Sequence, residues 1–160
     1  MYKILLFDDR PQVRISLEEG FKSRGMEVFA CKSIYEANDA WDDNKDELDA
    51  IVFDMMMPSS GLNEPLRQKT KGGLLSGWVW LWHTLNPNNE HPHPAANKCI
   101  VIYSAYLKDF DIYINSKQSS EEEKKFVAHV KLIPKDNSYK ENEVVKVLIH
   151  DRDKKANSGK

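Results

Sequence analysis

The chain has 160 residues, 41% hydrophobic and 30% charged, a length and composition that suit one soluble domain and exclude a disordered or fibrous chain. Its 23 Lys plus Arg against 25 Asp plus Glu leave a net charge of -2, so neither nucleic acid nor a membrane surface is an expected partner. No apolar run reaches the roughly 18 residues of a membrane span, the N-terminus goes directly into Lys3-Ile4-Leu5-Leu6-Phe7 without a signal-peptide pattern, and Cys31 and Cys99 have no metal or disulfide-framework spacing; a cytoplasmic location with reduced thiols is the expectation.

The first apolar run, Ile4 to Phe7, reads as a buried strand. Val13, Leu17 and Phe21 then recur every four residues, which predicts a helix stopping before Gly25. A second strand is expected near Glu27 to Cys31. Ser33 with Glu36 three residues on predicts a capped helix whose apolar stripe is Ile34, Ala37 and Trp41. Ile51 to Phe53 predicts a third strand. Residues 59 to 75 hold three glycines and a proline, and they make a long excursion where a strand-to-helix loop usually takes about 2 to 6 residues. Trp78, Leu81, Trp82 and Leu85 form the next helical stripe, with Trp80 on the other side, expected either exposed or beneath the inserted loop. A proline-rich loop at residues 86 to 97 is expected at the opposite edge of the sheet.

Ile100 to Tyr103 predicts the fourth strand. The crossover from Tyr106 to His129 has a cap signature in Ser120 with Glu123, while its first part, KDFDIYINSK, reads as either a short helix or an irregular segment. Val130 to Ile133 is a weaker fifth strand, and Val144, Val145, Leu148 and Ile149 mark a last helix before a polar tail, residues 151 to 160, expected to fray. Strand and helix alternating five times predict a doubly wound α/β fold with a parallel sheet.

The chemistry sits where strands end. Asp8 and Asp9 follow the first strand and Asp54 follows the third, and in an open α/β sheet the functional crevice lies outside the C-terminal strand ends. Three carboxylates brought together repel one another and favour a hard cation such as Mg²⁺. Ser104 ends the fourth strand, and Lys135 follows the fifth. A carboxylate nucleophile, a cation site, a hydroxyl and an ammonium are the parts of an in-line phosphoryl transfer.

These segments, KILLFDDR, IVFDMMMP, IVIYSA and LIPKD, resemble the receiver domain of two-component response regulators, and GMEVFACKSIYEANDAW resembles that family's second strand and helix. The resemblance spans residues 2 to 150 and implies a flavodoxin-like, five-stranded parallel sheet of order 2-1-3-4-5 with helices on both faces. It implies Asp54 as phosphoacceptor, with Ser104 and Lys135 contacting the phosphoryl group. Mg²⁺ is implied on Asp9, Asp54 and the backbone carbonyl of Met56, with Asp8 acting through water. It further implies a phosphorelay protein, not an enzyme with a substrate of its own, that self-phosphorylates and dephosphorylates with Mg²⁺. Its partners would be a sensor histidine kinase or histidine phosphotransfer protein and a downstream protein, with a homodimer as a candidate assembly.

The chain departs from the family pattern in three places. About a dozen residues are inserted after Pro58; Leu132 stands where the family has an aromatic switch residue; Ser104 replaces the commoner Thr. Tyr106 and the insertion are therefore the expected carriers of the signal. Two other readings are weighed against this one. A receiver-like scaffold that is not phosphorylated would not need the full acidic, hydroxyl and lysine set, and a small-molecule phosphohydrolase would need a general acid where Met56 stands.

Overall fold

A computed structural model describes residues 1–136 and 140–158. Five strands, β1 (Lys3–Phe7), β2 (Glu27–Cys31), β3 (Ala50–Phe53), β4 (Cys99–Ser104) and β5 (Val130–Pro134), form one sheet of order β2-β1-β3-β4-β5. All four pairings are parallel, which is the expected doubly wound arrangement. The inner strands are apolar almost throughout because helices cover both faces.

Within each apolar run the side chains still alternate between two cores. Leu5, Phe7, Ile51, Phe53, Ile100 and Ile102 face one side, where they meet α2 (Ile34–Asn44), the tryptophan segment, α5 (Leu107–Ile114) and α6 (Glu121–Val127). Ile4, Leu6, Val52, Val101 and Tyr103 face the other, against α1 (Pro11–Lys22) and α7 (Glu141–Ser158). On the outer strand β5, Val130 and Ile133 are buried in opposite cores, whereas Leu132 is 42% exposed.

Local signals mark three of the helix boundaries. Pro11 starts α1, where its missing N–H costs nothing, and Gly25 with φ 72° turns the chain after it. The Ser33 side chain accepts from the Glu36 N–H at the start of α2. Ser120 and Glu123 form a reciprocal capping box on α6.

Several expectations change. The insertion is mostly ordered into short turns: a 3-10 turn at Ser59–Gly61, the single-turn α3 (Glu64–Arg67) capped by Asn63, and a second 3-10 turn at Gln68–Thr70. Three consecutive left-handed residues, Lys71, Gly72 and Gly73, with φ of 52°, 71° and 99°, then reverse the chain. The tryptophan stripe is α-helical only through α4 (Ser76–Val79) and continues as a π-helical turn over Trp80–Thr84. Trp78 and Trp82 stack at 6.1 Å as a shared face requires.

Trp80 is fully buried rather than exposed. Its ring meets Phe7 edge-on at 4.7 Å, and its Nε1 donates to Asn38 Oδ1 at 2.6 Å, which satisfies the one polar atom that would otherwise hold it at the surface. Asn38 also donates to the Gly61 carbonyl at 3.4 Å, so Trp80 is tied to the inserted segment through it. The segment KDFDIYINSK, left open by its sequence, is the helix α5, separate from α6.

The tail does not fray at Asp151. The helix α7 continues to Ser158 because its last turns have partners: Tyr2 donates to Asp151 at 2.5 Å, Arg152 to the Arg24 carbonyl at 2.9 Å and Lys155 to the Asp49 carbonyl at 3.0 Å. Residues 159 and 160 of the expected tail lie outside the described residues.

Candidate functional site

Parallel register sets the site. Phe7, Phe53 and Ile102 stand side by side on β1, β3 and β4, so the residues that follow them emerge at one edge. The ladder extends past the assigned strand ends: Asp8 N–H donates to the Cys31 carbonyl at 3.2 Å, Asp54 N–H to the Phe7 carbonyl at 3.1 Å and Lys135 N–H to the Ser104 carbonyl at 2.9 Å. Each functional side chain therefore leaves a backbone already held by the sheet.

The side chains converge as a buried polar cluster. Lys135 Nζ donates to Asp8 Oδ2 at 2.5 Å and to Asp54 Oδ2 at 2.6 Å, and its side chain is only 6% exposed. The other oxygen of Asp54 accepts from Ser104 Oγ at 2.7 Å and from Met56 N–H at 3.2 Å. Asp8 Oδ1 accepts from Arg10 N–H at 2.9 Å. Both aspartates and Ser104 are buried, whereas Asp9 is exposed at the rim. Burial raises the Asp8 carboxyl above the usual carboxylate range, and the ammonium of Lys135 opposes that shift.

A carboxylate oxygen from each of Asp8, Asp9 and Asp54 lies within 4.8 Å of the others. Oxygen-only donors at this spacing fit a hard divalent cation. Met56 and Asp9 share a crevice of about 350 Å³ with Pro58 and Ser59, and the far wall is Gly72 and Gly73 of the insertion. A larger cavity, about 640 Å³, lies elsewhere, among Gln68, Trp82, His91 and Tyr113. The smaller crevice is the one that meets the acidic cluster, through Asp9.

Four further residues support the site without having been singled out by sequence. Gly77 brings the start of α4 against the strand end: its N–H donates to the Met55 carbonyl at 2.9 Å, and a Cβ there would stand 2.3 Å from the Asp54 carbonyl oxygen. Arg14 reaches back from α1 to the Asp8 carbonyl at 2.7 Å. Tyr103 lies under Lys135, with the ammonium 5.3 Å from the ring centre, and burial pushes its phenol upward. Phe53 stacks on Phe7 at 5.1 Å, bracing the two strands that carry the aspartates. Only Gly77 had a signal that reading could have used, a glycine beside Trp78 where a helix is about to meet a strand.

No family model matches the chain, and no curated protein matches it. Solved structures do. A response regulator receiver domain protein from Clostridium thermocellum superposes with a TM-score of 0.58 over 98% of each chain at 16% identity. The chemotaxis response regulator CheY4 of Vibrio cholerae gives 0.58 over 94% of this chain and 98% of that one, also at 16% identity. The response regulator TrrA of Thermotoga maritima, solved in complex with Mg²⁺ and BeF, gives 0.53 at 18% identity over 92% of this chain and 99% of that one. The architecture is therefore that of the CheY-like receiver fold, with the acidic cluster at the carboxyl edge of its sheet.

Proposed function

We propose that this chain, built on the receiver fold, is a phosphoacceptor of a two-component phosphorelay: Asp54 takes a phosphoryl group from the phosphohistidine of a sensor histidine kinase or phosphotransfer protein, and the phosphorylated form signals by protein contacts. The observation that carries this reading is the buried Lys135 ammonium shared by Asp8 and Asp54, with Ser104 on the second oxygen of Asp54. Residues 1 to 150 act as the receiver unit, with α7 extending beyond it.

The chemistry follows from these contacts. An oxygen of Asp54 attacks phosphorus as the P–N bond to the donor imidazole breaks, and the electron pair leaves with the ring nitrogen. Lys135 and Ser104 then lie beside the new phosphoryl oxygens, one as a cation and the other as a hydroxyl donor. Asp9, Asp54 and the Met56 carbonyl would hold Mg²⁺, with Asp8 through water; when bound, the ion neutralises charge on the transferring group. The raised Asp8 carboxyl fits that assignment, since a cluster of acids short of positive charge gains most from a cation.

Met56, two residues after Asp54, has no proton to give a leaving alkoxide, which disfavours a phosphohydrolase acting on small phosphate esters. Among the described residues no helix is long and apolar enough to cross a membrane. The test is intact-mass analysis after incubation with acetyl phosphate and Mg²⁺. One added phosphoryl group is expected on the wild type and none on Asp54→Ala. Full modification of the variant would overturn the assignment, and an unmodified wild type would favour a scaffold that is never phosphorylated.

A further inference from the structure

The cavity of about 640 Å³ is the feature that the phosphoacceptor chemistry leaves unused. Three stretches that the sequence showed as irregular converge on it. Gln68, Lys69 and Lys71 come from the insertion, Asn89 and His91 from the loop at 86 to 97, and Tyr113, Gln118 and Ser120 from the split crossover. The two loops were expected at opposite edges of the sheet. They meet because α4 and the π turn together have only four plus five residues, a length of ~13 Å, so both loops can fold along one flank of that segment. The π turn itself presents Trp82 and His83 to the cavity; such turns often mark functional positions.

The floor is fixed. Glu123 is 3% exposed, and its carboxylate accepts from Trp78 Nε1 at 2.9 Å, Tyr113 Oη at 2.8 Å and Ser120 N–H at 2.7 Å. Its charge is thereby satisfied within the wall and leaves little attraction for a cation in the cavity. The insertion supplies two positive charges, Lys69 and Lys71, which the carboxylate of Glu122, also lining the cavity, offsets only in part. Lys71 Nζ stands 5.6 Å from the centre of the Tyr113 ring, and among the described residues neither Lys69 nor Lys71 has an ion-pair partner. Burial and the neighbouring Lys69 hold His83 below the usual imidazole range, so it lines the wall neutral, able to donate or accept.

Trp82 lies near-parallel to Trp78 at 6.1 Å and to His93 at 5.0 Å, and it is one of the residues lining the cavity. An aromatic side chain in a cavity wall packs well against a second ring, edge to face or offset-stacked. Two ammonium groups against the one carboxylate of Glu122, a set of side-chain amides and an aromatic ring thus define the complementary ligand. We propose that this cavity is a binding site for a small organic anion bearing an aromatic ring, its carboxylate or phosphate held by Lys69 and Lys71 and its ring against Trp82. The volume falls inside the roughly 300–1,000 Å³ usual for small-molecule sites. The inference does not depend on phosphorylation of Asp54.

Calorimetry on the full chain tests it with two probes: indole-3-acetate, a ring with a carboxylate, and AMP, a ring with a phosphate. Acetate and inorganic phosphate serve as ringless controls. The expected result is a saturable one-site isotherm for at least one probe, which also identifies the anion. That affinity should fall about tenfold or more in a Lys69→Ala/Lys71→Ala variant and be unchanged by Asp54→Ala. Both lysines are exposed, so circular dichroism should report an intact fold for the double variant. No binding tighter than about 1 mM for either probe would overturn the proposal, as would a probe whose affinity survives loss of both lysines, or a ringless control that binds as tightly as its aromatic counterpart.

Discussion

Replacing Gly77 by Ala adds one methyl group at the point where α4 meets the end of β3. The added Cβ would stand 2.3 Å from the Asp54 carbonyl oxygen, 2.6 Å from Phe53 Cδ2 and 3.0 Å from Phe53 Cε2, against an ordinary contact of 3.4–4 Å. Neither neighbour can turn away: one is backbone hydrogen-bonded into the sheet edge, and the other is a buried ring stacked on Phe7. Overpacking typically costs about 1–3 kcal/mol, and this rigid setting belongs at ~3 kcal/mol. Alanine returns ~1 kcal/mol through its better helix propensity, for a net loss of ~2 kcal/mol. For a chain of this size that lowers Tm by about 4–8 °C. Gly20→Ala is the internal control. Its Cβ would meet only Val145 Cγ2, at 3.0 Å, a single methyl group rather than backbone and a stacked ring, so helix propensity offsets most of the crowding and Tm should move by less than about 3 °C. Thermal unfolding followed by circular dichroism measures both. Gly77→Ala with a Tm equal to or above the wild type would refute the close-approach argument, and equal losses in the two variants would mean that the contact with the Asp54 carbonyl has no special weight.

Lys135→Met leaves Asp8 and Asp54 buried without their shared cation and should cost about 3–5 kcal/mol, partly restored by millimolar Mg²⁺; urea titrations with and without the ion would show an unaffected variant if the bridge were decorative. Asp8 has a folded-state carboxyl raised above its unfolded value near 3.8, so its contribution is full below that value and is lost as pH rises through the higher, folded one. Asp8→Asn lacks this loss, and its stability relative to wild type should grow from about pH 4 to pH 8; a constant difference across urea titrations would contradict the shift. Ser104→Ala removes the hydroxyl donor to Asp54 Oδ1 and should cost about 1–2 kcal/mol while slowing acetyl phosphate labelling, read by mass over time. Because Leu132 is exposed and has no ring, a beryllofluoride mimic should change hydrogen exchange most in residues 59 to 75 and 104 to 112; changes confined to residues 130 to 136 and 140 to 150 would return the signal to β5 and α7.

Short-range chemistry was legible along the chain. The strands appear as apolar runs because a parallel sheet buried on both faces tolerates little else, and the caps at Ser33 and Ser120 appear because one side-chain oxygen must reach an N–H three residues on. The acidic residues, Ser104 and Lys135 could be placed at one edge because parallel strands all end on the same side. Tertiary structure decided what lies across the chain. Lys135 bridges aspartates 127 and 81 residues away, and no local pattern states that both fall within reach of one ammonium. The burial of Trp80 depends on Asn38, 42 residues distant, offering its indole N–H an acceptor, and helical periodicity alone could only assign it to the opposite side from Trp78. The tail stays helical because Tyr2, Arg24 and Asp49 meet it, contacts that its polar composition does not encode. Periodicity and capping act over a few residues and leave their mark in the order of residue types. Packing and charge pairing act between surfaces, so the cavity beneath the insertion and the bridged aspartates exist only once the helices have been laid on the sheet.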